Sequence, residues 1–158
     1  TTLFRSPPGS PPPTEPLAMT AAGAPASQLD HGSSARTEGV RVSVRPRFID
    51  EHSDHGSGQY LFAYRVEIRN ESAEPARLVR RRWVIIDADG VEQVVAGEGV
   101  LGVQPYLPPG AAHEYESFCP LETAWGTMEG SYTMRRDDGR EFEARVARFY
   151  LVAHTRRA

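Results

Sequence analysis

The chain has 158 residues, a formal net charge of −3 and a single cysteine, Cys119. That length holds one domain with a real core, the lone thiol excludes an internal disulfide framework, and the interspersed charges leave no basic field for a nucleic-acid backbone. All eighteen cationic side chains are arginine, so neither a Walker A lysine nor a Schiff-base lysine is available.

No apolar run approaches a signal-peptide core or a membrane span. The expectation is a soluble cytoplasmic protein with neither a membrane nor a nucleic-acid partner. Residues 1–35 are rich in proline, serine, alanine and threonine and carry few large apolar side chains. Such a segment cannot bury enough surface to offset the entropy of ordering itself, so a disordered arm is predicted there, with a folded domain over 36–158. Pro7, Pro8 and Pro11 to Pro13 have polyproline character, and Met19 is a candidate start of translation, which would set residues 1–18 apart.

From about Arg36 the periodicity is that of strands. In "VRVSVRPRF" (40–48) apolar residues alternate with arginine and serine, and "QYLFAYRVEIRN" (59–70) repeats the alternation with Tyr60, Phe62, Tyr64, Val66 and Ile68 on one face. The third run, "RLVRRRWVII" (77–86), ends in four consecutive apolar residues from Trp83, which predicts cover on both faces. Asp89-Gly90 supplies a hairpin turn into "VEQVVAG" (91–97).

Next comes "GEGVLGVQPYLPPG" (97–110), whose Gly97, Gly99 and Gly102 have G-x-G-x-x-G spacing. In a dinucleotide site that spacing opens a helix whose N-terminus binds the pyrophosphate. Pro105, Pro108 and Pro109 follow at once and forbid the helix. A glycine-rich connection between strands is the favoured reading, and a backbone-amide nest for an anion, assisted by Arg81, is the alternative.

"AHEYESF" (112–118), "GTMEGSYTMRR" (126–136) and, after a second hairpin at Asp138-Gly139, "REFEARVARFYLVA" (140–153) complete the set. In the last run Phe142, Ala144 and Val146 share one parity and Phe149 and Leu151 the other, which predicts a bulge near Ala147 or Arg148. Seven strand-like runs without an amphipathic helix predict an all-β fold, an antiparallel sandwich of the immunoglobulin or fibronectin type III kind.

"YLFAYRVEIRN", the Arg81-x-Trp83 element, "GEGVLGVQPYLPPG", "SFCPLETAWGTMEGSYTM" and "FYLVA" resemble, in this order and spacing, the ApaG family over about residues 40–152. The resemblance implies a fibronectin type III-like sandwich, found as stand-alone bacterial proteins and as a protein-interaction domain within larger eukaryotic proteins. It also implies a link, through name and gene neighbourhood, to diadenosine tetraphosphate hydrolysis and to cobalt and magnesium homeostasis. Phe118-Cys119 and Ala124-Trp125 depart from the family's usual pattern.

Candidate sites are few. Asp50, Glu51, His52, Asp54 and His55 are metal-ligand types, but their Gly-flanked segment reads first as a polar loop. The run from Asp87 to Glu92 lacks a calcium loop's full ligand set and reads as a hairpin. His113 and Cys119 would stand roughly 20 Å apart on one extended strand, too far to share a proton. Glu114, Glu116, Glu122 and Glu129 offer carboxylates without an evident pair.

No catalytic residue, cofactor or metal is therefore expected. The expected function is non-catalytic binding of a protein partner through a loop surface made of Tyr106, Leu107, Phe118 and Trp125, since aromatic anchors suit recognition. The rival class is a binder of nucleoside polyphosphates or divalent cations.

Overall fold

The computed structural model describes residues 31–154. They form the expected antiparallel β-sandwich, with nine strands in place of about seven. In chain order these are β1 (Ser33–Thr37), β2 (Val40–Phe48), β3 (Tyr60–Asn70), β4 (Ala76–Asp87), β5 (Glu92–Glu98), β6 (Tyr106–Leu107), β7 (Ala112–Leu121), β8 (Trp125–Arg136) and β9 (Glu141–Val152). One sheet has the order β1-β2-β3-β7; the other is β5-β4-β8-β9, with β6 paired to β4 just beyond the end of β5.

The core sits between the two inner faces, and alternation along each strand fills it. Val40, Val42 and Val44 enter from β2, Phe62, Tyr64, Val66 and Ile68 from β3, and Met128, Tyr132 and Met134 from β8. Trp83 is at its centre, its indole edge-on to Tyr64, Tyr132 and Phe149 at ring-centroid distances of 5.4, 5.9 and 5.8 Å. Such contacts each add about 0.5–1.5 kcal/mol to the burial of the rings.

The parity change expected in the last strand is real. Met128 pairs with Phe149 and Gly130 with Val146, so β9 carries an extra residue at Ala147 and Arg148. The bulge is anchored from both sheets: the Ser33 hydroxyl of β1 donates to the Ala147 carbonyl at 2.7 Å, and Arg148 pairs with Glu129 of the neighbouring β8 at 2.7 Å. A second bulge, at Val79 in β4, turns both Leu78 and Val79 inward. Asp89-Gly90 and Asp138-Gly139 form their hairpin turns, each with an aspartate carboxylate accepting nearby backbone N–H groups.

Two expectations are corrected. Ser33 to Ala35 lie within the stretch predicted as a disordered arm, yet they belong to β1, because their anchors are polar ones that hydropathy does not register: the Ser33 bond to β9, Thr37 Oγ1 accepting the Arg145 N–H at 3.1 Å, and Arg36 paired with Glu71 at 2.9 Å. The rest of that predicted arm, residues 1–30 with its prolines and Met19, lies outside the described residues. The run from Trp83 to Ile86 is buried on one face only. Trp83 and Ile85 enter the core, while Val84 and Ile86 are half-buried on the outer face.

The sandwich has two ends that matter below. The Arg136 end gathers the β1–β2, β3–β4 and β8–β9 turns together with Tyr106. The Trp125 end gathers the β2–β3 loop, the β4–β5 turn and the β7–β8 turn.

Candidate functional site

The glycine segment folds as strand and turn, with no helix after it. Gly97 is the next-to-last residue of β5, and it lies against the Arg81 guanidinium, where a Cβ would stand 3.0 Å from Nη2. Val100 and Val103 exchange N–H···O bonds of 2.8 and 3.0 Å around a two-residue turn with Leu101 and Gly102 both at positive φ. Gly99, at φ +63°, donates its N–H to the Val79 carbonyl, and a Cβ there would meet the Val103 oxygen at 2.3 Å. Arg81 Nη1 donates to the carbonyls of Glu98 and Gly99 at 3.1 and 2.9 Å. Of the groups named for an anion nest, the Gly99 amide and Arg81 Nη1 are engaged with protein carbonyls.

The four residues expected to form one loop surface are not together. Leu107 is only 3% exposed and belongs to the core, held there because β6 pairs with the start of β4. Tyr106, its neighbour, sits at the Arg136 end, where its hydroxyl donates to the Asp137 carboxylate and Arg77 packs over its ring at 5.1 Å. Phe118 and Trp125 are in strands. Phe118, on the outer face of the first sheet, pairs with Ala63. Trp125 opens β8 at the other end: Arg77 is the partner of Tyr106 and Asp87 that of Gly126, ten residues further along β4, or about 33 Å.

Around Trp125 a different surface comes into view, one that strand alternation builds on the outer face of the second sheet. Gly126 and Met128 turn inward, so Trp125 and Thr127 turn outward; Tyr150 and Val152 alternate with buried Phe149 and Leu151. Register then aligns them. Glu92, Ile86, Thr127 and Tyr150 form one row across four strands, Val94 lies beside Val84, and Trp125 lies beside Val152. Trp125, Val94 and Tyr150 are 48%, 48% and 40% exposed. Thr123 fixes the Trp125 end of this face, accepting from Ala88 N–H at 3.0 Å and donating to the Trp125 carbonyl at 2.7 Å. Tyr150, Val84, Ile86 and Val94 were not singled out from sequence, although the four-residue apolar run at Trp83 is the signal that points to them.

The groups considered for chemistry are occupied otherwise. Asp54 accepts from the N–H groups of Gly56 and Ser57, and the Ser57 contact leads in holding its carboxyl below the usual range. His55 lies 3.5 Å from Asp50. Glu114, Glu116 and Glu129 face Arg65, Arg47 and Arg148. His113 and Cys119 lie six residues apart on β7, uninterrupted between them.

Cys119 belongs to a buried cluster with Tyr64, Tyr115 and Tyr132, in which the hydroxyls of Tyr115 and Tyr132 are hydrogen-bonded to each other. Burial pushes the Cys119 thiol up to about 12 and holds all three phenols well above their usual range. At mildly alkaline pH the thiol is therefore neutral and shielded. A thiol reagent at about pH 8 is expected to leave the native protein unmodified and to titrate one thiol per chain in denaturant; stoichiometric labelling of the native state would contradict this burial.

Comparison with known proteins gives a consistent picture. A profile described as the ApaG domain matches residues 50–136. Protein ApaG of Anaeromyxobacter dehalogenans is 51% identical over 120 residues, which cover 76% of this chain and 94% of that protein. Protein ApaG of a Methylobacterium species is 48% identical over 124 residues, covering 78% and 95%. The crystal structure of an ApaA protein from Bordetella pertussis superposes with a TM-score of 0.71 at 45% identity and covers 72% of this chain and 93% of that one.

Proposed function

The chain belongs to the ApaG family, and from that membership we propose that it is a non-catalytic cytoplasmic module that binds another protein through the Trp125 end of its second sheet's outer face. One observation carries the reading. Trp125, Tyr150, Ile86 and Val152 lie together on a sheet face with no second layer over it among the described residues. Exposed aromatic groups on a rigid strand scaffold lose little side-chain entropy on binding, and an apolar centre with a polar rim is how interfaces are built. Here the rim is Glu92 and the Glu129–Arg148 ion pair.

The non-catalytic part of the reading rests on the chemistry of the groups present. The thiol is neutral, the nearest imidazole along the strand is out of reach, and three of the four candidate carboxylates are ion-paired. A general base or nucleophile needs a tuned group within hydrogen-bond reach of a partner, and these do not supply one.

The test is quantitative capture of a partner by the full chain and by Trp125→Ala. The variant is expected to melt like the parent, because the indole is half in solvent, and to lose at least about tenfold in affinity, as aromatic hot spots do. Tyr106→Ala, at the opposite end, is expected to keep the partner. A folded Trp125→Ala protein with undiminished binding would refute the assigned surface.

A further inference from the structure

Strand β5 is the open margin of the second sheet. Asp87 N–H donates to the Val91 carbonyl at 3.1 Å and Gly99 N–H to the Val79 carbonyl at 2.8 Å, at the two ends of the β4–β5 register. Hydrogen-bonded positions alternate along an antiparallel pair, so the odd-numbered residues of β5 bond β4. The backbone groups of Glu92, Val94 and Ala96 therefore point away from the sheet, and no strand among the described residues takes them. The opposite margin, along β9, is met by the hydroxyls of Ser33 and Thr37.

We propose that β5 pairs antiparallel with β5 of a second copy of this chain, about a two-fold axis at Val94. The outward-facing residues must meet one another, which leaves axes at 93, 94 or 95. An axis at 95 sets Glu92 opposite Glu98 twice, and like charges directly opposite are destabilising. An axis at 93 overlaps the two strands only over residues 92–94. The axis at 94 pairs Val94 with its own copy, Gln93 with Val95, Glu92 with Ala96 and Val91 with Gly97, and sets no like charges opposite one another.

Charge complementarity selects the same register. Ala96 neighbours Arg82 within its own sheet, so Glu92 of one copy comes two strands, about 10 Å, from Arg82 of the other. Both side chains are on the outer face, both are long enough to meet across Ala96, and neither has an ion pair in its own chain among the described residues. The symmetry makes two such pairs. Joining the copies also runs Val84 and Val94 of one sheet into Val94 and Val84 of the next and covers Val91, which is 63% exposed. This contact does not depend on Trp125, which lies beyond the other long side of β4 on β8.

Sedimentation velocity on the full chain, from about 1 to about 500 μM, should resolve a reversible dimer of twice 17.5 kDa. Val94→Lys sets two ammonium groups at the axis and is expected to weaken the dimer at least about tenfold while the monomer keeps its melting temperature. Arg82→Glu and Glu92→Arg should each weaken it, and the doubly exchanged variant should restore it. A chain that stays monomeric throughout, or a dimer indifferent to Val94→Lys, overturns the proposal; loss in both single charge variants without rescue in the double overturns the register. Partner capture that persists in Arg82→Glu and fails in Trp125→Ala separates this contact from the partner surface.

Discussion

Taking the protein from about pH 8 to about pH 11 is expected to unfold it cooperatively, with about 7 kcal/mol of stability lost by the upper limit. Cys119, Tyr64, Tyr115 and Tyr132 are acids whose native ionisation is pushed up by burial. In the unfolded chain they ionise from about pH 9 to 10. Above that range the unfolded state binds fewer protons than the native one, so stability falls with rising pH and goes on falling until the native values are reached. The loss compares with the 5–15 kcal/mol that typically holds a domain together.

With no lysine in the chain, the titration in that window belongs to tyrosine and to Cys119. Tyrosinate absorbance and the β-sheet circular dichroism should therefore change together for the buried phenols, and Tyr64→Phe should move the midpoint to higher pH. Gradual tyrosinate formation inside an intact sandwich would show that the cluster is open to water.

A second large effect is expected from Arg136→Ala, about 3 kcal/mol of destabilisation and a drop of about 10 °C in Tm. Arg136 is buried at the end of β8, with no carboxylate partner among the described residues. Its Nη1 donates to Ser72 Oγ and to the carbonyls of Glu74 and Pro75 at 3.0, 2.8 and 3.3 Å, its Nη2 to the Glu38 carbonyl at 2.8 Å, and the group lies 4.8 Å over the Phe142 ring. One planar cation thus ties the β1–β2 turn, the β3–β4 turn and the last hairpin together. Truncation leaves several turn carbonyls short of donors at once. Arg136→Lys is expected to recover little, because a single ammonium cannot match the fork. The neighbouring Arg135, paired with Glu141 at 2.8 Å in solvent, is the control: its alanine variant should cost under about 0.5 kcal/mol. Equal melting of the two alanine variants would remove Arg136 from this role.

Strand alternation was enough to read seven strands and the β9 bulge, because both are written as parity along one segment. β1 was not legible: Ser33 to Thr37 holds one small apolar residue, Ala35, and its place is set by hydroxyls and an ion pair that reach other strands. β6 is two residues long between prolines and takes its conformation from β4. The candidate site failed for a related reason. Period two says which face a residue occupies on its own strand but not which strands lie side by side, so Tyr106 and Trp125 looked close in sequence while the topology sends them to opposite ends. The apolar run at Trp83 carried the better signal: an outer face too greasy for solvent alone. By hydropathy alone it predicts cover within the chain, whereas the described residues leave that face open.

The hydroxyls of β1 that reach β9 connect residues 114 and 108 positions apart. A ribosome delivers the first of these strands long before the last, so the sandwich cannot be closed until β9 has emerged. Until β9 leaves the exit tunnel, β8 has an unpaired margin and Trp83 lacks the ring of Phe149. Such long-range closure is slow and leaves strand edges exposed in the meantime. For this protein the vulnerable interval in the cell runs from the emergence of β8 to the emergence of β9.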